Sequence, residues 1–310
     1  MAFLDPSVNR SLSIVECVPN FSEGRDRGVV DGIARAIEMA GAAVLDRTSD
    51  WDHNRSVVTF AGSPEAVEDA AFAAVEEAVK RIDLSRHAGV HPRAGAADVV
   101  PFIPVRGATL EDCAAIARRV GERIWDRLGV PVYLYEAAAR SPDRAALEAI
   151  RREIRREAGS PDIGSGTHPT AGATVAGARK FLIAWNINLQ TDRLEAARTI
   201  ARKIRFSSGG LPCVKALGLP LASRNQVQVS MNLTDFERTP LHIVYEAVSR
   251  AAGEQGIEIA GSELIGLIPA KALEISAGYD LHWQNFRPEM ILENRLADTI
   301  LAGRMLADTM

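Results

Sequence analysis

The amino-acid sequence predicts an α/β (α+β) fold made of two ferredoxin-like βαββαβ subdomains, and three observations carry that prediction. Apolar runs of strand character alternate with apolar stripes at helical spacing along the whole chain. The succession strand, helix, strand, strand, helix, strand is met once in the first half and starts again at Phe181. Between the two lies Pro161 to Gly177, loaded with Gly, Ser, Thr, Pro and Ala, which marks both a domain boundary and a candidate ligand loop. The boundary is set between residues 178 and 179, so the subdomains are 1–178 and 179–310.

Ser13 to Val18 has the β-branched character of a strand, closed by turn chemistry at Pro19-Asn20-Phe21-Ser22-Glu23-Gly24. Val30, Ile33, Ile37 and Ala40 recur at helical spacing, and Ala43 to Leu45 and Ser56 to Phe60 are strands joined by a polar loop, Asp46 to Arg55. Ser63 caps a helix with Pro64 at its first position and Val67, Ala71, Ala74, Val75 and Ala78 along its buried stripe. After a strand at Val99 to Val105, Thr109 with Asp112 reads as a capping box for a helix that ends at Gly129. Val132 to Tyr135 is a strand, and the arginine- and glutamate-rich residues 144 to 157 read as a solvated helix, with Glu148 and Arg152 spaced for an i,i+4 pair. In the second half, Phe181 to Leu189, Val214 to Leu219, Gln226 to Asn232 and Ile257 to Ala260 are strands. Helices are expected at Arg193 to Ile204, after Thr239-Pro240 to Ala252, at Pro269 to Ala277, and near Leu292 to Leu306. That order gives an antiparallel sheet covered on one face, and two such units leave a cleft where the loops at Asn20, at Asp46 to Arg55, at His91 and at Gly164 to Gly172 can converge.

The 310 residues, 47% hydrophobic, are enough for sizeable cores. A net charge of −4, with both signs spread along the chain, leaves no basic footprint for nucleic acid, so a small-molecule partner is expected. No apolar run approaches membrane-spanning length and no signal segment opens the chain. Cys17, Cys113 and Cys213 are odd in number and widely spaced, which points to a reducing compartment and a cytoplasmic protein.

The chemistry is expected in residues 85 to 105, where His87, His91, Arg86, Arg93 and Asp98 crowd into a Gly/Pro-broken loop running into an apolar strand. Pro92 pushes His91 out of the α region, so that histidine is presented rather than packed. His87 and His91 are four apart, but the intervening Ala-Gly-Val lacks the glutamate of a zinc helix and Pro92 forbids helix continuation, so no metal is expected. The run Gly164-Ser165-Gly166-Thr167-His168-Pro169-Thr170-Ala171-Gly172 is not a dinucleotide fingerprint, since its sixth position is proline. It is either an interdomain linker or a loop whose amides hold a flat, donor-rich heterocycle. Arg55, at the start of a strand beside Asp46, Asp50, Asp52, His53 and Asn54, is placed to grip a carboxylate. Cys17 sits in an apolar strand and reads as an inert packing residue.

Several strings together resemble the glutamate formimidoyltransferase family: Glu16 to Gly24, Asp52 to Val57, Gly89 to Arg93, Val99 to Val105, Pro131 to Tyr135, Gly177 to Ala184 and Gly266 to Pro269. The resemblance implies two α/β subdomains flanking a ligand tunnel, a cytoplasmic homodimer, and transfer of a formimidoyl group from N-formimidoyl-L-glutamate to tetrahydrofolate in histidine degradation. It implies His91 as the catalytic residue, Asn20, Asp46, Asp50, Arg55 and Arg93 as donor-binding residues, and Gly164 to Gly172 as the folate stretch, one residue shorter than in animal forms. The chain departs from the family at Thr48, where animal relatives carry an acid, and at Phe206, in a position associated with glutamate. No cyclodeaminase segment is expected in a chain that stops at Met310. A formylglutamate-dependent transferase, a folate-binding module without turnover and a plain interaction protein remain as other readings.

Overall fold

In the computed structural model, which describes residues 13–51, 54–87, 93–156, 159–221 and 224–301, the first strand is split in two by a proline. β1 (Ile14–Cys17) and β2 (Asn20–Phe21) are pieces of one strand interrupted at Val18-Pro19, because proline has no amide proton to give the ladder. Val18 N still donates to Pro101 O and Pro19 O accepts from Val58 N, both at 3.2 Å, so the chain never leaves the sheet. Asn20 and Phe21, expected in a turn, therefore continue the strand.

α1 (Arg27–Met39) starts where the Asp26 carboxylate accepts from Gly28 N and Val29 N, and it buries Val29, Val30, Ile33 and Ile37. β3 (Ala43–Asp50) and β4 (Arg55–Gly62) form a hairpin longer than its apolar residues alone suggest. Asp46 and Asp50 thus lie on a strand and not in a loop. α2 (Pro64–Arg81) has Ser63 as its cap, and the expected stripe from Val67 to Ala78 is buried. β5 (Ala97–Arg106) is followed by α3 (Leu110–Leu128), with the Thr109–Asp112 capping box made and Gly129 ending the helix at φ 66°. β6 (Val132–Glu136), α4 (Leu147–Arg156) and β7 (Thr174–Ala178) complete the first unit. β7 corrects the reading of 161–177 as one long loop: its small residues are all buried, and β5 and β6 pair with it in parallel on either side.

The strand order is β3-β4-β1/β2-β5-β7-β6. Its first four positions are antiparallel and are those of a ferredoxin-like sheet; the parallel β5-β7-β6 edge is an addition to it. Val100, Leu134 and Ala176 face the core shared with α1, α2 and α3. Val99, Tyr133, Tyr135 and Val175 face the other way, where Ile150 of α4 packs on them with Leu147 and Ile154. This edge of the sheet is covered on both faces, not one.

The second unit runs from Lys180 to Ala297. It contains β8 (Ile183–Leu189), α5 (Leu194–Ile204), β9 (Val214–Leu221), β10 (Gln226–Leu233), α6 (Leu241–Gly253), β11 (Ile259–Ile265) and α7 (Ala270–Ile275), with α8 (Leu292–Leu301) beginning at its end. Its strand order β9-β10-β8-β11 is antiparallel throughout and repeats the order of the first unit's four core strands. Ile183, Trp185, Ile187 and Leu189 alternate inward, and Trp185 is wholly buried against Tyr245 and Trp283. Thr239 does not cap α6 as expected: its hydroxyl donates to Pro212 O at 2.6 Å, and Pro240 stands at the cap position.

Candidate active site

The hairpin β3-β4 ends on Arg55, and this guanidinium is where the site begins. The preceding Asn54 is buried and holds φ at 48°, a left-handed conformation that asparagine tolerates better than most residues. Arg55, its side chain 21% exposed, points Nη2 at Asn20 Oδ1 (2.5 Å) on the neighbouring β2. Nη2 also lies 3.7 Å from Asp98 Oδ2, on β5 at the other side of β2. Burial pulls Arg55 down from the usual arginine range and Asp98 opposes that pull.

Asp98 is a carboxylate only 2% exposed, and it is fully engaged. Oδ1 accepts from Ala94 N at 2.7 Å and Oδ2 accepts from Arg151 Nη2 at 2.5 Å. Arg151 comes from α4, the helix read as merely solvated. Arg93 is close enough to interact with both Asp98 and Arg55. Two guanidiniums therefore lie within ion-pair distance of one buried carboxylate and a third is near enough to feel its charge, an arrangement that attracts anions.

The segment leading into β5 is sewn to the Gly/Thr/Pro loop. Ala96 N donates to Ala171 O and Ala173 N to Ala94 O, both at 2.9 Å, while Leu84 N donates to Thr170 O at 2.8 Å. On its other side Ser22 Oγ donates to Gly95 O at 2.7 Å. Within the loop, His168 and Gly172 exchange both backbone hydrogen bonds, and His168 Nδ1 accepts from Thr170 N and Ala171 N. Gly164, at φ 83°, lies against the Trp125 ring, and Gly172, at φ 68°, against Gly95 and Leu84; side chains at either would collide. Ser165, Gly166, Thr167 and Pro169 are exposed, so this tip is free to meet a ligand while Ala171 and Gly172 anchor it.

His87 is half-buried beside this cluster. Asn54 Nδ2 lies 3.4 Å from its Nδ1, and an amide nitrogen only donates, so Nδ1 accepts and the ring proton sits on Nε2. Asn54 Oδ1 in turn accepts from Gly24 N at 2.9 Å. Burial, reinforced by Arg93, holds the imidazole below its ordinary value of 6.5. As pH falls through 6.5 the unfolded chain takes up this proton before the folded one, so the folded state loses stability in that window and recovers it above. The melting temperature should accordingly fall more between about pH 7.5 and 5.5 in the wild type than in His87→Gln; identical slopes would show that the ring is not held neutral.

Asn20, Arg55, Arg93 and the 164–172 loop are thus assembled on one sheet of one unit. Asp50 is the cross-strand partner of Arg55 and is exposed, while half-buried Asp46 lies farther along β3, opposite Thr59. His91, Pro92, Asp52 and His53 lie outside the described residues. Sequence reasoning missed Asp98 as a hub and Arg151 altogether. A charge opening a buried strand, Ala97-Asp98-Val99, was a usable signal that a partner must exist. Nothing distinguishes Arg151 from its arginine neighbours on α4.

Comparison with known proteins decides the lineage. A family model described as the formiminotransferase domain, N-terminal subdomain, matches residues 14–179, and one described as the formiminotransferase domain matches residues 184–297. A protein named glutamate formimidoyltransferase from Thermoplasma acidophilum is 44% identical over 92% of this chain and 98% of its own length. Another of that name from Streptococcus pyogenes is 44% identical over 91% and 98%. The formimidoyltransferase-cyclodeaminase of Sus scrofa is 43% identical over 96% of this chain but only 57% of its own. The chain belongs to the formiminotransferase family.

Two other features of this formiminotransferase-family chain bear on its chemistry. Cys17 and Cys113 are buried, and burial pushes the Cys17 thiol well up and Cys113 to about 12, so neither supplies a thiolate nucleophile. Among the described residues no group of His, Cys, Asp and Glu could hold a metal ion, and no helix is long and apolar enough to cross a membrane. A separate cleft of about 400 Å³ in the second unit, lined by His242, Tyr245, Glu246, Arg250, Tyr279 and Asp280, includes none of the residues gathered around Asp98.

Proposed function

We infer that this chain transfers the formimidoyl group of N-formimidoyl-L-glutamate to nitrogen five of tetrahydrofolate, giving 5-formimidoyltetrahydrofolate and L-glutamate. The observation that carries this reading is the 44% identity, over nearly the full length of both chains, to relatives named glutamate formimidoyltransferase. The site described above is in keeping with it. Arg55 and Arg93 receive the two carboxylates of the donor, with Asn20 fixing Arg55 and with Asp46 and Asp50 on the strand beside it. The exposed tip of Gly164 to Gly172 contacts the folate as co-substrate.

The folate amine loses a proton as it attacks the amidine carbon, and the glutamate nitrogen gains one as its bond to that carbon breaks. His91 takes the first proton and delivers the second. The proposal includes a cytoplasmic homodimer acting on small molecules, with neither nucleic acid nor membrane as partner. Its test is an assay of the purified protein with tetrahydrofolate and either N-formimidoyl- or N-formyl-L-glutamate. Faster glutamate release from the formimidoyl donor is expected. Faster release from the formyl donor reassigns the substrate, and folate binding with no glutamate release from either reduces the protein to a binding module.

A further inference from the structure

The cluster around Asp98 asks more of its residues than gripping a carboxylate. Arg55 Nη2 donates to Asn20 Oδ1 and faces Asp98 Oδ2 at 3.7 Å, while neighbouring Arg93 and Arg151 both work against its charge. The acidic groups near by are unequally available. Glu23 is committed to the backbone amides of Gly24, Arg25 and Asp26, at 2.9, 2.7 and 3.0 Å. Asp98 Oδ2 lies 3.7 Å from Arg55 Nη2, and the orientation of this carboxylate is set from two directions, by Ala94 N on Oδ1 and by Arg151 on Oδ2.

This arrangement divides the carboxylate between two arginines. Arg151 holds Oδ2 at 2.5 Å while Arg55 Nη2 lies at 3.7 Å from the same oxygen, so one carboxylate faces both guanidiniums and grips Arg151 the more closely. Arg151 spends little on solvent, being 17% exposed, and it ties the site to α4.

Resting on the reading that Arg55 and Arg93 bind the donor, we propose that Asp98 and Arg151 act as a positioning pair that sets the affinity of this site for a dicarboxylate. Neither touches the reacting atoms. Losing the pair turns Arg55 away from the donor and weakens donor binding while leaving the folate and the proton transfers as they were.

The experiment measures KM for the formimidoyl donor, KM for tetrahydrofolate and kcat in Asp98→Asn, Arg151→Met and Arg151→Lys. Alongside, binding of glutarate, a dicarboxylate of the same carbon skeleton, is followed by calorimetry. Asp98→Asn and Arg151→Met should raise donor KM and glutarate Kd roughly 10- to 100-fold, the worth of a hydrogen bond to a charged group, with folate KM and kcat changed less than about threefold. Arg151→Lys should recover part of the loss, and the double variant should be no worse than Asp98→Asn alone. Should Asp98→Asn fail to fold, the two Arg151 variants on the half-exposed helix carry the same test. Donor KM and glutarate Kd within twofold of wild type in folded variants would make the pair a structural staple only, and absence of glutarate binding to the wild type would overturn the proposal outright. Glutarate binding that depends on Asp98, in a wild type that transfers no group, would overturn the functional reading and keep this one.

Discussion

His91→Ala is expected to lower turnover by about 10²- to 10⁴-fold, the usual worth of general acid–base catalysis, while His87→Ala costs far less. The two histidines lie four residues apart, and the surroundings of His87 argue against an acid–base task for it. His87 has its Nδ1 committed to Asn54 and its titration pulled down by burial, so it is held as a neutral ring in one tautomer. A group that takes one proton and returns it must change charge in each cycle, which that environment opposes. His91, which precedes Pro92 in the sequence, is the residue to which the proposed function gives the acid–base role. Steady-state rates of the two alanine variants under saturating donor and folate decide the matter. Equal losses at both positions would move the acid–base role, or a share of it, to His87.

Gly95→Ala should be a strongly damaging single-methyl change in the first unit. A Cβ at Gly95 would overlap the Ala173 carbonyl oxygen and lie 2.8 Å from its carbon and 2.9 Å from Ala171 O. All of these are backbone atoms, and the segment cannot drift away because Ala96 and Ala173 hydrogen-bond across the same seam and Ser22 holds Gly95 O from the other side. Steric overlap with a pinned backbone belongs to the class of changes that cost about 4–5 kcal/mol, which for a unit of this size lowers the melting temperature by roughly 10 °C or more. Gly166→Ala makes the contrast: φ is 70°, but nothing lies within 4 Å of the added carbon, so the cost is on the order of 1–2 kcal/mol from the left-handed backbone alone. Thermal unfolding of the two purified variants measures both. A Gly95→Ala protein melting as the wild type does would show that the seam between the pre-β5 segment and the 164–172 loop is loose, and would remove the support for a rigid loop at the proposed folate contact.

How much of this was legible in advance follows from where each energy resides. Ser63-Pro64, the Thr109–Asp112 box and Gly129 could be read directly, because a cap is satisfied by residues three or four positions away and needs no partner from elsewhere. The buried stripes of α1, α2 and α3 were equally legible, since helical periodicity is local. Strand extent was not. β3 runs on to Asp50 through polar residues because β4 lies beside it and supplies the hydrogen bonds, and Thr174–Ala178 becomes a strand because β5 and β6 flank it. Its Gly, Ala and Thr composition on its own reads as loop.

The residues of this protein thus determined by themselves the alternation of elements, the order that repeats in the two units, the family resemblance, and the candidate strings at Asn20, Arg55, His91 to Arg93 and Gly164 to Gly172 on which the proposed function draws. Only the tertiary structure decided that Asp98 is the shared partner of Arg55 and Arg151, drawn from positions 55, 98 and 151 on three different elements. The physical reason is that a buried charge fixes the need for a counter-charge but not its address. That address is set by which strands neighbour β5 and by which helix packs on its outer face, and sheet pairing over such separations leaves no periodic mark in the chain.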